Sequence, residues 1–281
     1  MSQPRISAYA SSADGNAVPT RVIQGSKTLQ ARTSHYIAID PIRDELVVPN
    51  PFAQAILFLR GGANGNQAPL RIIQGPKTLL NAPDNVAIDA GRREVFVAQF
   101  PTDSVLVFRS DVGGDVEPIR ILHGPKTKLN RPIRVEVDPI NNLLAVVNDS
   151  AILIFNLTDK GDVAPRWILS GPKTGIGTRF GTRDVKLFPG GKKIIALARV
   201  GGVPRAAETG GEDVGGGQRF IGVWNYGDNG DVAPWAVLNS TETTKIPGSR
   251  LALNPEAGEL VVGGDGQVSV YHLPEIFQRT D

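Results

Sequence analysis

One short segment returns along the chain and constrains its fold more than any other feature. It reads Gly-Asx, two residues, Pro, an apolar stretch, then Gly-Pro-Lys-Thr. Copies begin at Gly15 (GNAVPTRVIQGSKT), Gly65 (GNQAPLRIIQGPKT), Gly114 (GDVEPIRILHGPKT) and Gly161 (GDVAPRWILSGPKT), with a weaker one at Gly230 (GDVAPWAVLNSTET). Their spacings are 50, 49, 47 and 69 residues. The last exceeds the others by roughly 20 residues, so it holds an insertion within an otherwise regular array.

Each copy is followed by three apolar runs closed by turn residues. The first runs are YIAIDP at Tyr36, VAIDA at Val86, VEVDP at Val135, VKLFP at Val185 and LALNP at Leu251. The second are ELVVPN at Glu45, EVFVAQ at Glu94, LLAVVN at Leu143, KIIALA at Lys193 and ELVVGG at Glu259. The third end in a large residue: AILFL, SVLVF, AILIF, FIGVW and VSVY. Short β-branched runs bounded by Gly, Pro, Asp and Asn, without helical period, predict strands. Four strands per period of about 48 residues predict a β-propeller blade. The fold class is therefore all-β, with five four-stranded blades as first reading and six as second. The strand inventory also predicts that residues 1–25 supply outer strands, with Arg21–Gln24 completing the last blade and Ile6–Tyr9 as an extra edge. On this reading residues 1–281 form a single domain.

These repeats resemble NHL-type propellers and, more loosely, the gluconolactonase-like and strictosidine-synthase-like propellers. The resemblance covers nearly the whole chain and speaks to fold, since propellers host many activities. The lactonase-like family holds a divalent metal with Glu, Asn and Asp at the entries of its innermost strands, within a Pro-Asn/Asp-Gly signature. Pro83-Asp84-Asn85 matches that signature, but the aligned positions elsewhere hold His35, Ile133, Arg183 and Ser249. A hard dication needs several oxygen ligands at one point, so neither a metal nor another cofactor is expected.

Composition narrows the chemistry. The chain has 281 residues, 30 Lys and Arg against 28 Asp and Glu, and no cysteine. Thiol nucleophiles, disulfides and thiolate metal sites are excluded. A net charge of +2 argues against a chain-wide nucleic-acid footprint. The opening MSQPRISAYASSADGN has no basic-then-apolar leader, and no run of about 18 apolar residues occurs. The expectation is a cytoplasmic protein with neither nucleic acid nor membrane as partner.

Candidate site residues come from aligning the strand entries. In order they are His35–Tyr36, Asp84–Asn85, Ile133–Arg134, Arg183–Asp184 and Ser249–Arg250, with Ala38, Ala87, Glu136, Lys186 and Ala252 two positions further along. Guanidinium forks suit carboxylate or phosphate. Tyr36, Asn85, Arg134, Arg183, Asp184 and Arg250 are therefore candidates for binding a small anionic ligand or a protein partner at the tunnel mouth. The plainer reading is that these charges pair across blades and plug the tunnel, with Glu136–Lys186 as one such pair. In a second functional class the chain is a metal-independent hydrolase, lyase or isomerase of a small acidic molecule, with His35 as general acid/base oriented by Asp84. The insertion from Arg199 to Arg219, with seven glycines between 201 and 217, is either a lid over the mouth or a tolerated surface loop. The recurring GPKT lacks the order of a phosphate loop and reads as a turn.

Overall fold

The computed structural model describes residues 4–31, 36–176, 181–200, 218–241, 246, 248, 250–264 and 266–279. The chain divides into two compact units, Met1–Gly124 and Pro125–Asp281. Among the described residues all regular structure is strand and short 3-10 turn, and the sheets are propeller blades.

In the first unit, β1 (Arg5–Ala8) and β2 (Arg21–Gln24) form a two-stranded sheet. One blade follows as β3 (Ala38–Asp40), β4 (Glu45–Asn50), β5 (Ala55–Arg60) and β6 (Arg71–Gln74). The next is β7 (Asn85–Asp89), β8 (Glu94–Gln99), β9 (Ser104–Arg109) and β10 (Arg120–Leu122). In the second unit the third blade is β11 (Arg134–Asp138), β12 (Leu143–Val147), β13 (Ile152–Asn156) and β14 (Trp167–Leu169). The fourth is β15 (Thr182–Phe188), β16 (Lys193–Val200), β17 (Gln218–Asn225) and β18 (Ala236–Asn239). The fifth comprises β19 (Arg250–Asn254), β20 (Glu259–Gly264) and β21 (Gln267–His272). Every pairing within these sheets is antiparallel.

The five blades agree with the repeat count. Arg21–Gln24 pairs with β1, the extra edge strand expected at Ile6–Tyr9, in the register Arg5↔Gln24 to Ala8↔Arg21. The last sheet has three strands among the described residues. Ile23 is buried, and Ile6 packs with it against Leu46, Val48, Leu57 and Leu59 of the first blade. Ile23 also bridges Gly65, so β2 is tied to the blade that follows it in sequence.

Second strands are buried along their whole length in the first three blades, which explains their unbroken apolar runs. Within each unit the buried faces of adjacent blades interdigitate. Residues of β12, β13, β16 and β17 make one core around the fully buried Trp224. Gly222 makes room for that ring, since a Cβ there would lie 2.4 Å from it. A second core joins Ile195, Leu197, Ile221 and Val223 to Leu251, Leu260 and Val262.

The GPKT motif is a latch between blades as well as a turn. Ser26–Thr28, Pro76–Thr78 and Pro125–Thr127 are 3-10 turns. Their leading N–H groups are satisfied by the Asx of the next repeat. Lys27 N–H donates to Asn66 Oδ1 at 2.7 Å, Lys77 N–H to Asp115 Oδ1 at 2.7 Å, Lys126 N–H to Asp162 Oδ1 at 2.6 Å, and Lys173 N–H to Asp231 Oδ1 at 2.7 Å. A cap of this kind fills orphan donors at a helical start. It also states why Gly-Asx and GPKT recur together: each half of the latch sits in a different blade.

Candidate anion site

The second unit concentrates charge where its innermost strands begin. β11 lies beside β15, and β15 beside β19. Arg134, Asp184 and Arg250 hold equivalent ladder positions, opposite Val147, Leu197 and Gly263. The repeat alignment is thus correct in register. Asp184 is buried and committed to backbone: Oδ2 accepts from Leu251 N–H at 2.8 Å, and Oδ1 from Val185 N–H at 3.0 Å. Its carboxylate ties β15 to β19.

Arg183 is set apart by a β-bulge. Thr182 pairs with Ala198 and Asp184 with Leu197, so Arg183 is the extra residue in the ladder. Bulges re-aim side chains and are enriched beside functional sites. Two further arginines complete the group. Arg199, 9% exposed, stands directly opposite Arg219 in the β16–β17 ladder. Opposite residues have Cβ atoms about 4.5–5.5 Å apart, and like charges there repel. Arg199 and Arg219 share the face carrying Leu197 and Ile221, which is the face turned to the fifth blade. Arg219 donates to the Ile246 carbonyl at 3.0 Å.

The effect registers on Arg183. Burial, then the positive charges of Arg199, Arg134 and Arg219, push its pKa down to about 10. The guanidinium remains protonated at neutral pH, so this direction measures how costly one more positive charge is at that point. Three guanidinium groups thus act on that of Arg183, and Arg134 is itself buried, at 6% exposure.

One step along the same strands lies an ion pair. Lys186 Nζ is 2.7 Å from Glu136 Oε2, with side-chain exposures of 14% and 20%. Burial pushes the Glu136 carboxyl above its usual range, against the pull of Lys186. Nearby, Tyr226 OH donates to Asp138 Oδ2 at 2.8 Å, and burial followed by the Asp138 charge pushes the phenol well up.

The remaining candidates fall elsewhere. Asn85 is buried at the start of β7 opposite Ala98, with Asp84 half-buried before it and Tyr36 half-buried before β3, all in the first unit. His35, Ser249 and residues 201–217 of the insertion lie outside the described residues. Arg199 and Arg219 were visible in the sequence only as the bounds of that insertion. The signal that identifies them is hairpin register, which pairs the two flanks of an insertion with each other. Among the described residues no group of three or more His, Cys, Asp or Glu side chains converges to hold a metal ion. Among them, too, no helix is long and apolar enough to cross a membrane.

No family model matches the chain, and no curated protein matches it. Solved structures do. Hydrazine synthase of Kuenenia stuttgartiensis is similar over 85% of this chain and 58% of that one, with 14% identity and a TM-score of 0.55. The chain therefore spans little more than half of that protein. A candidate 6-phosphogluconolactonase from Bacteroides uniformis is similar over 90% of this chain and 69% of that one, with 14% identity and a TM-score of 0.53. At such identity the likeness concerns the fold.

Proposed function

We propose that this chain is a cytoplasmic β-propeller that binds a small anion through the arginine group of its second unit. The observation that carries the reading is Arg199 facing Arg219 across one ladder, beside Arg134 and the bulged Arg183. Like charges directly opposite in a ladder repel, as Arg199 and Arg219 do. An oxyanion between them converts repulsion into charge-assisted hydrogen bonds, each about 1.5–3 kcal/mol. The neighbour described as a candidate 6-phosphogluconolactonase supports including phosphorylated sugar acids among the anions tried.

Calorimetric titration of phosphate, sulfate, citrate and a phosphorylated sugar acid, at constant ionic strength, tests the reading together with thermal melts. The wild type is expected to bind at least one of them and to melt higher in its presence. Arg219→Gln removes the charge opposing Arg199 together with the bond to the Ile246 carbonyl, so its melt without anion is the baseline for its melt with anion. The variant should bind anion roughly ten- to a hundredfold more weakly. A wild type that binds no anion, with Arg219→Gln destabilised, leaves only the structural role.

A further inference from the structure

We propose that the outer edge of the fifth blade takes an extended strand from a partner protein, one that begins with arginine and continues with apolar, β-branched side chains. The proposal does not depend on anion binding. In each of the first four blades the third strand is paired on both sides, and its outer neighbour is a fourth strand. β21 is the third strand of the fifth blade, and among the described residues it pairs with β20 alone. Ladder register allows a comparison residue by residue. Glu45, Leu143 and Glu259 head second strands, opposite Arg60, Asn156 and His272. Val268 and Val270 therefore stand where the first blade has Ile56 and Phe58 and the third has Ile152 and Ile154. Those four residues are fully buried, whereas Val268 is 66% exposed and Val270 57%. Natural edges are blunted by Pro, Lys, bulges or a cover. Gln267–His272 contains neither Pro nor Lys, and its ladder with β20 runs without a bulge.

The first two blades define the chemistry that such a strand needs. Arg71, first in β6, donates to both oxygens of Glu45 at 2.7 and 2.5 Å, with its guanidinium 4.0 Å from the centre of the Phe58 ring. Arg120, first in β10, donates to both oxygens of Glu94 at 2.8 and 2.6 Å. Such two-pronged pairs are strong and geometrically specific. Glu259 holds the same place in the fifth blade. It accepts from Asn254 Nδ2 at 2.8 Å, and among the described residues no guanidinium reaches it. In the β5–β6 register Phe58 faces Arg71 and Ile56 faces Ile73. An added strand in that register sets its arginine opposite Val270, within reach of Glu259, and an apolar residue two further on opposite Val268. Main-chain bonds to the edge then supply affinity and the side chains supply choice, as in other strand additions. A second copy has no such strand to give, because the Arg-led strands β2, β6 and β10 are paired with β1, β5 and β9.

The probe is a labelled synthetic peptide with the sequence of Gln67–Pro76, QAPLRIIQGP, titrated with the full chain and followed by fluorescence anisotropy. Saturable binding is expected. The same peptide carrying Arg71→Ala should bind about ten- to a hundredfold more weakly, as for a lost charge-assisted pair. Glu259→Gln in the protein should weaken the parent peptide by a similar factor and leave the Arg71→Ala peptide unaffected, since both changes remove one interaction. Sedimentation velocity of the protein without peptide should show a monomer at the same concentrations. A wild type that does not bind the parent peptide overturns the proposal. Binding that is indifferent to Glu259→Gln puts the peptide elsewhere and overturns it too. A concentration-dependent dimer gives the edge to a second copy and overturns the partner strand. Should Glu259→Gln not fold, the two peptides on the wild type decide, and equal binding of both overturns the proposal.

Discussion

Replacing Gly75 by alanine strikes the latch between blades at its tightest point. Gly75 has φ 135° and ψ 170°, a backbone region essentially reserved for glycine, and forcing a side chain into it costs about 1–3 kcal/mol. The new Cβ would stand 2.5 Å from both Cγ and Oδ1 of Asp115. That carboxylate must then swing away and release the Lys77 N–H it accepts at 2.7 Å, at a further ~1 kcal/mol by analogy with lost helix caps. The expected total is roughly 2–4 kcal/mol. Asp115→Ala alone loses only the cap, about 1 kcal/mol. The double variant should cost less than the two singles together, by about 1 kcal/mol, because the same hydrogen bond is lost once instead of twice. Urea unfolding followed by circular dichroism gives all three differences. A Gly75→Ala protein within about 0.5 kcal/mol of wild type, the range of an inert surface change, would refute the latch, and strict additivity would refute its mechanism.

Two further outcomes follow from buried groups in the second unit. Tyr226→Phe removes the hydroxyl bond to Asp138 and should cost about 1.5–3 kcal/mol, as for a hydrogen bond to a charged group. Because the folded-state pKa of Tyr226 is raised above its ordinary 10.0, the unfolded chain loses that proton first. This contribution is therefore whole below about pH 10 and is lost as pH rises through the folded-state value; tyrosinate absorbance in the folded wild type should show one late-titrating phenol that is missing from Tyr226→Phe. Gly222→Ala places a Cβ 2.4 Å from the fully buried Trp224 ring and should cost about 1–3 kcal/mol by overpacking. Tryptophan emission during unfolding reads the loss, and an unchanged midpoint would mean the ring has room to move.

What the sequence alone determined here is whatever rests on local pattern or on the repeat. The strands, their order and the five blades are legible because apolar alternation and turn residues act over a few neighbours. The repeat also places Arg134, Asp184 and Arg250 at one ladder level, since copies of a unit fold to copies of a position. The turn character of GPKT was readable for the same reason. Its role as a latch was not, because the acceptors Asn66, Asp115, Asp162 and Asp231 arrive from the following repeat.

Tertiary structure decided the rest, and in each case the cause is pairing between residues distant in the chain. Arg21–Gln24 has the sequence of a fourth strand, and only the folded chain shows Ile6 and Ile23 packing on the first blade. The bulge that singles out Arg183 has no local signature, since it exists only as a mismatch between β15 and β16. Arg199 and Arg219 are twenty residues apart in sequence and become neighbours through the β16–β17 register. Charge repulsion and charge pairing depend on separation in space, and here the long-range ladder sets that separation.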